Sequence, residues 1–179
     1  MYKRQAQALP GCFSFGEPEG EICVMVGEDG CGWGLPPARG DTKIGIASQP
    51  NGTFDRLALQ LSEPLVAGNE YILRLRVNAV ITEFSPDHGI VEIGVSDDPH
   101  SFGERIQGFG ASSGWWSDFR LDFHAPIDGQ YITARIRDGG VVDAWVHLDA
   151  FELRPCSATC AADLDLSLIH ISEPTRPLH

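Results

Sequence analysis

The chain has 179 residues, of which 42% are hydrophobic, and this length suits one domain with a buried core. Its formal net charge of −12 argues against a nucleic acid or an anionic membrane as partner, because either would require a cationic surface. No apolar run approaches the length of a membrane span. Composition therefore favours a secreted or cell-surface protein without membrane insertion.

The two ends of the chain are complementary at the level of codons, which indicates that neither belongs to the natural protein. Residues 1–5 can be read from GTG TAT AAG AGA CAG, and the reverse complement of that string encodes Leu-Ser-Leu-Ile-His, the sequence of residues 166–170. The string resembles the transposase end that is used to fragment DNA libraries. We therefore expect residues 1–5 and 166–179 to be adapter read-through in a metagenomic fragment, and we exclude them from fold reasoning.

Five cysteines lie toward the ends of the remaining segment. They are Cys12, Cys23, Cys31, Cys156 and Cys160. This placement predicts disulfides on loops and termini in an oxidising compartment. A zinc site is the competing interpretation, but the C-x3-C spacing at the carboxyl end has no matching second pair.

Eight segments have the pattern of β-strands, and none has that of an amphipathic helix. Four alternate strictly between apolar and polar residues, as a strand with one buried and one solvated face does: 55–62, 69–80, 117–124 and 130–138. Four shorter candidates are 21–26, 42–48, 89–96 and 144–153. Turn sequences such as Pro50-Asn51-Gly52 separate them.

The predicted fold class is all-β, an antiparallel two-sheet β-sandwich of the jelly-roll kind. The domain covers residues 6–155. The alternation stops after Leu153, so residues 156–165 are predicted to begin a linker to a missing domain.

Three stretches carry a resemblance to a known family. They read G-D-T-K-I-G-I at 40–46, L-S-E-P-L-V-A-G-N-E-Y at 61–71 and L-D-A-F-E-L at 148–153. In this order they resemble the galactose-binding-like jelly roll, the fold of many non-catalytic carbohydrate-binding modules in secreted, multi-domain bacterial proteins. The resemblance implies a module that binds, adheres or spaces. Family members usually have Asn at the position of Ala150, so this chain departs from the pattern there.

The resemblance also implies a structural Ca²⁺ that ties the first strand to the last. Asp149 occupies the position of the family's acidic ligand in the closing strand, and Glu17 or Asp41 could supply further oxygens. The alternative is that Asp149 faces solvent or accepts a hydrogen bond from a loop amide.

Sugars are held by flat aromatic faces and by planar polar groups that read hydroxyls. The candidate ligand-binding residues are Trp115, Trp116, Trp145, Arg76, Arg135 and His147. If Trp115 and Trp116 both lie in a strand, they point to opposite faces and at most one is exposed. The alternative interpretation is that the tryptophans are core residues and the arginines form cross-strand ion pairs.

An enzyme is not predicted. A glycoside hydrolase needs two carboxylates at a defined separation, and the segment 91–97 places only Glu92 on a strand face. The predicted function is a non-catalytic carbohydrate-binding-like ancillary module whose partners are a polysaccharide or glycan and the other domains of its own chain. A spacer or adhesion domain without a small ligand is the alternative, and a hydrolase jelly roll is the least favoured.

Overall fold

The computed structural model of the chain describes residues 11–17, 23–26, 34–83 and 85–156. Within these ranges no helix is long and apolar enough to cross a membrane. The predictions for the two ends and for the linker concern residues outside these ranges, apart from Cys156. Cys31 and Cys160 also lie outside them.

The described residues form ten strands. They are β1 (Cys12–Glu17), β2 (Cys23–Val26), β3 (Thr42–Ser48), β4 (Phe54–Leu65), β5 (Glu70–Ala79), β6 (Ile90–Ser96), β7 (Glu104–Gly110), β8 (Ser117–His124), β9 (Gly129–Ile136) and β10 (Ala144–Pro155). The predicted strands are all present with ends shifted by a few residues, and the all-β, antiparallel fold class is confirmed.

The strands form two five-stranded layers. The first sheet has the order β1-β4-β9-β6-β7 and the second has β2-β3-β10-β5-β8, with every neighbouring pair antiparallel. A single residue pair at the β3–β4 hairpin, Ser48 with Phe54, joins the two layers. The chain therefore folds over at that corner and encloses a core between the sheets.

Side chains from both sheets fill that core. Leu57, Leu73, Ile93, Ile132 and Leu148 are all at most 1% exposed. Alternate residues of each strand point inward, and this explains why periodicity located the long strands.

Two strands escaped the sequence analysis because their apolar signal is weak. In β1 the aromatic residues Phe13 and Phe15 face outward, opposite Ala58 and Arg56 of β4. There they form a small second cluster with Phe102 and Tyr131 on the outer face of the first sheet. In β7 two glycines dilute the pattern, and its register with β6 is shifted by a bulge.

The cysteine prediction needs a correction at Cys12. This residue lies in β1 and packs as a buried thiol in the main core, so it does not act as a loop staple. Burial raises the pKa of its thiol to about 12. Such a thiol behaves as a small hydrophobic side chain.

Candidate functional site

A segment of the chain crosses the outer face of the second sheet. Residues 34–39, called the strap below, pass over β10 and β3 before β3 begins. The backbone N–H groups of Ala38 and Arg39 donate to Oδ2 of Asp149 at 2.6 and 3.1 Å. The indole N–H of Trp116 donates to the carbonyl of Pro36 at 2.9 Å. These bonds hold a non-strand segment against the sheet, so the polar side chains beneath it are buried.

Asp149 is one of those buried polar side chains. Its other carboxylate oxygen accepts the N–H of Ala150 at 2.6 Å, and Lys43, which is 5% exposed, donates to the strap carbonyl of Leu35. Burial raises the pKa of Asp149, and the backbone N–H donors and the charge of Arg76 oppose that effect. Burial lowers the pKa of Lys43, and the charge of Asp149 opposes it. The carboxylate thus accepts loop amides beside a lysine.

These surroundings do not fit the calcium ion that the resemblance implies. Among the described residues no three acidic, histidine or cysteine side chains converge. Asp41 is exposed and directly precedes β3, and the Glu17 side chain lies outside the described part of the chain. Calcium requires several hard oxygens, whereas Asp149 already meets three backbone N–H groups and an ammonium charge. Calcium at Asp149 therefore stays a prediction without support from these residues.

His147 lies under the strap at the centre of the second sheet. It is fully buried, and neither ring nitrogen has a hydrogen-bond partner among the described residues. Gly34 is the residue directly over it, because a Cβ at that position would come within 2.8 Å of the imidazole Cε1. Gly34 also has a φ of 87°, a left-handed conformation that favours glycine. Burial, and then the charge of Lys43, lowers the pKa of His147 to about 3.

An open cleft adjoins this covered region at the end of the sheet. It has a volume of about 610 Å³ and is lined by Gly34, Leu35, residues 78–83, Ser113 and Gly114. Asn78, only 1% exposed, donates to the carbonyls of Ser112 and Trp115 at 3.4 and 3.0 Å. This amide fixes the loop that carries Trp115, so we name the space the Trp115 cleft.

The three candidate tryptophans of the described chain gather near that cleft with different exposures. Trp115 is 63% exposed, while Trp116 and Trp145 are half-buried. The ring centroids of Trp116 and Trp145 lie 6.5 and 5.8 Å from that of His147. Neither Trp115 nor Trp116 lies in a strand, since both precede β8. Only one of them, Trp115, is exposed, as expected. The reason given for that expectation, that both lie in a strand, does not hold.

The remainder of the second sheet's outer face consists of ion pairs. Arg76 donates to Asp118 at 2.6 Å and Arg39 to Glu152 at 2.5 Å. Arg120 pairs with Asp122 along β8. A groove of about 420 Å³ runs between these pairs. Arg76 therefore lies on the same face as His147, but it serves a charge pair and donates to the strap carbonyl of Ala38.

Arg135 lies on the other side of the molecule, on the outer face of the first sheet. There it donates through Nε and Nη2 to Oε2 of Glu92 at 3.0 and 2.8 Å. Arg105 and Arg137 donate through Nε to Oε1 of the same carboxylate at 2.8 and 3.0 Å. Glu92 is 5% exposed, so one buried carboxylate meets three guanidinium groups.

Burial raises the pKa of Glu92, but the hydrogen bonds and charges of the three arginines outweigh that effect and hold the pKa below its ordinary value. The carboxylate is therefore ionised at neutral pH and its oxygens are engaged. A general acid of a glycoside hydrolase needs the opposite, a carboxyl group with a raised pKa.

The predicted site residues thus separate into two groups. One group lies around the strap and the cleft (Trp115, Trp116, Trp145, His147 and Arg76), whereas Arg135 alone lies on the outer face of the first sheet. Sequence reasoning missed Asn78, Glu92 and Lys43. Their polarity placed them on solvated strand faces, and no local signal shows that the strap and the arginines bury them.

A scan against protein-family models finds no match, and a search of the curated proteins finds no relative of this sequence. Solved structures do match. An arabinose-bound α-L-arabinofuranosidase, MgGH51, has a TM-score of 0.57 at 12% identity, over 87% of this chain and 25% of its own. The CBM22-1–GH10 modules of xylanase 10B from Clostridium thermocellum, complexed with xylohexaose, give 0.53 at 14% identity, over 86% and 27%.

The CBM22-1 xylan-binding domain from Paenibacillus barcinonensis gives a TM-score of 0.50 at 13% identity, over 83% of this chain and 94% of its own. This chain therefore spans about a quarter of the two enzyme chains and nearly all of the separate module. At these identities the likeness concerns the fold: the chain is a jelly-roll β-sandwich of the kind found in carbohydrate-binding modules.

Proposed function

We propose that this chain is a non-catalytic glycan-binding module and that it binds sugar at the Trp115 cleft. The observation that carries the proposal is the exposed side chain of Trp115, which directly follows the lining residues Ser113 and Gly114 of an open cleft, on a carbohydrate-binding-module fold. A flat, exposed aromatic face can stack on the apolar face of a sugar ring. The polar lining of the cleft, with Thr82, Glu83 and Ser113, can hydrogen-bond to hydroxyls.

Rigidity supports the same proposal. An exposed tryptophan on a loose loop would lose conformational entropy on binding, and this would weaken affinity. Here the buried Asn78 amide fixes the Trp115 backbone, and Ala79 donates to the carbonyl of Ser112 at 2.8 Å. The indole is therefore presented by a loop that the sheet holds in place.

The ligand class is suggested by the structural neighbours, one of which is a complex with xylohexaose and another a xylan-binding domain. We infer that plant-type polysaccharides, xylan first, are the polymers to test. Secretion is part of this proposal, because polymers of this kind occur outside the cell, and the other domains of the same protein would supply any catalysis.

The test is retention by immobilised polysaccharides of the wild-type chain, W115A and W115F. We expect W115A to lose about tenfold in affinity and W115F to recover part of it, since a phenyl ring still stacks. V141A is the matched control, because Val141 is an apolar residue that is 71% exposed and lies outside the cleft. Equal retention of W115A and wild type would remove the cleft from the proposal.

A spacer or adhesion domain is the second candidate. It is favoured by the part of the second sheet's outer face that carries the pairs of Arg76, Arg39 and Arg120. There the described side chains form ion pairs and present no aromatic platform. The same pull-down separates the two functions, because a spacer would be retained by no glycan. A melting temperature that is equal in calcium and in chelator would, in addition, remove the predicted metal.

A further inference from the structure

The outer face of the first sheet carries more positive charge than its contacts require. Arg105, Arg135 and Arg137 bind the single carboxylate of Glu92, which leaves two positive charges in excess. Arg56 lies directly opposite Arg135 in the register of β4 and β9. Four of the 13 lysines and arginines of a chain with net charge −12 are thus concentrated on one face.

Like charges that face one another across strands oppose folding. An arrangement of three guanidiniums on one carboxylate is therefore unfavourable by itself, and a second anion would relieve the repulsion. Their side chains remain 46%, 32% and 38% exposed in the order Arg105, Arg135 and Arg137, so such an anion could approach from solvent.

The geometry suits an oxyanion. Arg105 and Arg137 use Nε for Glu92, and their Nη2 atoms meet above Gly108. A Cβ on Gly108 would lie 3.1 Å from the first Nη2 and 2.9 Å from the second, so these two nitrogens are at most about 6 Å apart. Charge-assisted hydrogen bonds measure about 2.8 Å. One carboxylate or sulfate group can therefore bridge both guanidiniums.

The arginines are also held in place before any ligand arrives. The guanidinium carbon of Arg135 lies 3.8 Å from the ring centroid of Phe102, and that of Arg56 lies 4.5 Å from the centroid of Phe54. Stacking on aromatic rings and bonds to Glu92 restrict the rotamers of these side chains. A preorganised site loses less entropy when it binds.

Beside this group lie two rings suited to a sugar. Phe13 and Tyr131 are half-buried and pack edge to face with their centroids 5.7 Å apart. They share the outer face with Arg135, four residues from Tyr131 along β9, and they pack against the cluster that contains Phe102, the ring on which Arg135 stacks. Aromatic rings beside clustered guanidiniums match a sugar that bears an acidic group better than they match a neutral one.

We propose that this face binds the carboxylate or sulfate groups of an acidic polysaccharide through Arg105, Arg135 and Arg137. The inference rests on the proposed glycan-binding function and names a second ligand class for the module. The overall negative charge of the chain does not prevent such binding, since its field is screened within about 8 Å at physiological salt. Binding depends on the local excess of arginine.

Two variants test the site in the full chain. R137Q removes one guanidinium, and G108A keeps every charge but inserts a methyl group where the two Nη2 atoms converge. We expect each to weaken binding of an acidic polymer about tenfold. The matched control is R120Q, which removes an exposed, ion-paired arginine from the opposite sheet.

Affinity gel electrophoresis with polygalacturonate, dextran sulfate and neutral dextran distinguishes the source of the anion. Retardation by polygalacturonate that R137Q and G108A lose assigns carboxylate, and the same pattern with dextran sulfate assigns sulfate. Equal retardation of R137Q and wild type would overturn the site. Equal competition by duplex DNA would overturn the restriction to glycans.

Titration with inorganic sulfate, followed by melting temperature, keeps the two proposals distinguishable. If no polymer binds but sulfate protects wild type more than R137Q, the glycan function fails and the anion site stands. If W115A alone loses a neutral glycan and no acidic polymer or sulfate binds, the anion site fails and the glycan function stands.

Discussion

The outer faces of the two sheets use the same residue types in different ways. On the second sheet the charges form pairs, as in Arg76 with Asp118, or lie under the strap, as in Lys43 beside Asp149. On the first sheet three arginines converge on Glu92 and leave charge over. Paired and covered charges are explained by folding alone. A surplus of positive charge on a half-exposed face is not explained by folding, and it is the observation behind the proposed anion site.

The largest expected loss of stability concerns the charges that the strap covers on the second sheet. D149A would leave the strap amides of Ala38 and Arg39 without their acceptor and the buried Lys43 without its neighbouring negative charge. Loss of one partner of a buried charge pair costs about 3–5 kcal/mol. D118N, on the exposed pair with Arg76, should cost less than about 1 kcal/mol. Urea unfolding measures both.

The first sheet should respond differently to the same treatment. R137Q leaves two guanidiniums on Glu92, so its free energy of unfolding should fall by less than about 1 kcal/mol. A loss as large as that of D149A would contradict the view that this arginine is surplus to folding.

The pH dependence of stability gives a second test of the side chains that the strap buries, here His147. The pKa of His147 is about 3 in the folded chain and 6.5 ordinarily, so below pH 6.5 the unfolded state binds a proton that the folded state does not. The free energy of unfolding should fall by about 1.4 kcal/mol for each pH unit below 6.5. H147L removes the titration and should flatten this slope.

The interval between pH 6.5 and 5 separates the histidine from Glu92. Glu92 has a lowered pKa, so the stability from its ion pairs is also lost on acidification, but only as the pH falls through the range of an ordinary glutamate and below. The raised pKa of Asp149 gives a slope of the opposite sign, but it is present in both proteins, so the difference between wild type and H147L reports the histidine. Equal slopes for wild type and H147L in urea unfolding over that interval would show that His147 is not buried as described.

The smallest expected effect concerns the backbone of β10. Ala150 has a φ of 51°, in the left-handed region that non-glycine residues rarely adopt and that Asn tolerates better than Ala. A150N should raise the free energy of unfolding by about 0.5–1 kcal/mol. A47N, on the same face in β3, should give no gain, and thermal unfolding compares the two. Destabilisation by A150N would contradict the backbone explanation.

The sequence predicted the strands best where one face is buried. The alternation in β4, β5, β8 and β9 is a local property, and so their existence could be read directly. The covered sites could not be read in that way. Ala38 and Asp149 are 111 residues apart, and the strap that joins them leaves no periodic signal. Asn78 and Glu92 look solvated in the sequence because their partners come from other strands.

The candidate ligand residues illustrate the same limit. The tryptophans could be nominated by type, but only the fold shows that Trp115 alone of the three is exposed. The departure at Ala150 was visible in the motif, and the structure supplies its physical reason. Among non-glycine residues, the Asn implied by the resemblance accepts the left-handed backbone at that position more readily than Ala does.

The bulge at Ala150 also changes how β10 can vary. Before it, the inward residues are even-numbered, Val146 and Leu148, and after it they are odd-numbered, Phe151 and Leu153. Ala150 is therefore the extra residue of a β-bulge, after which inward side chains change from even to odd numbers. Loss of that one residue would remove the bulge and leave Phe151 inward and Glu152 outward, so related chains can lack it without turning a core side chain toward solvent. Loss of a residue elsewhere in β10 would reverse the direction of every side chain that follows.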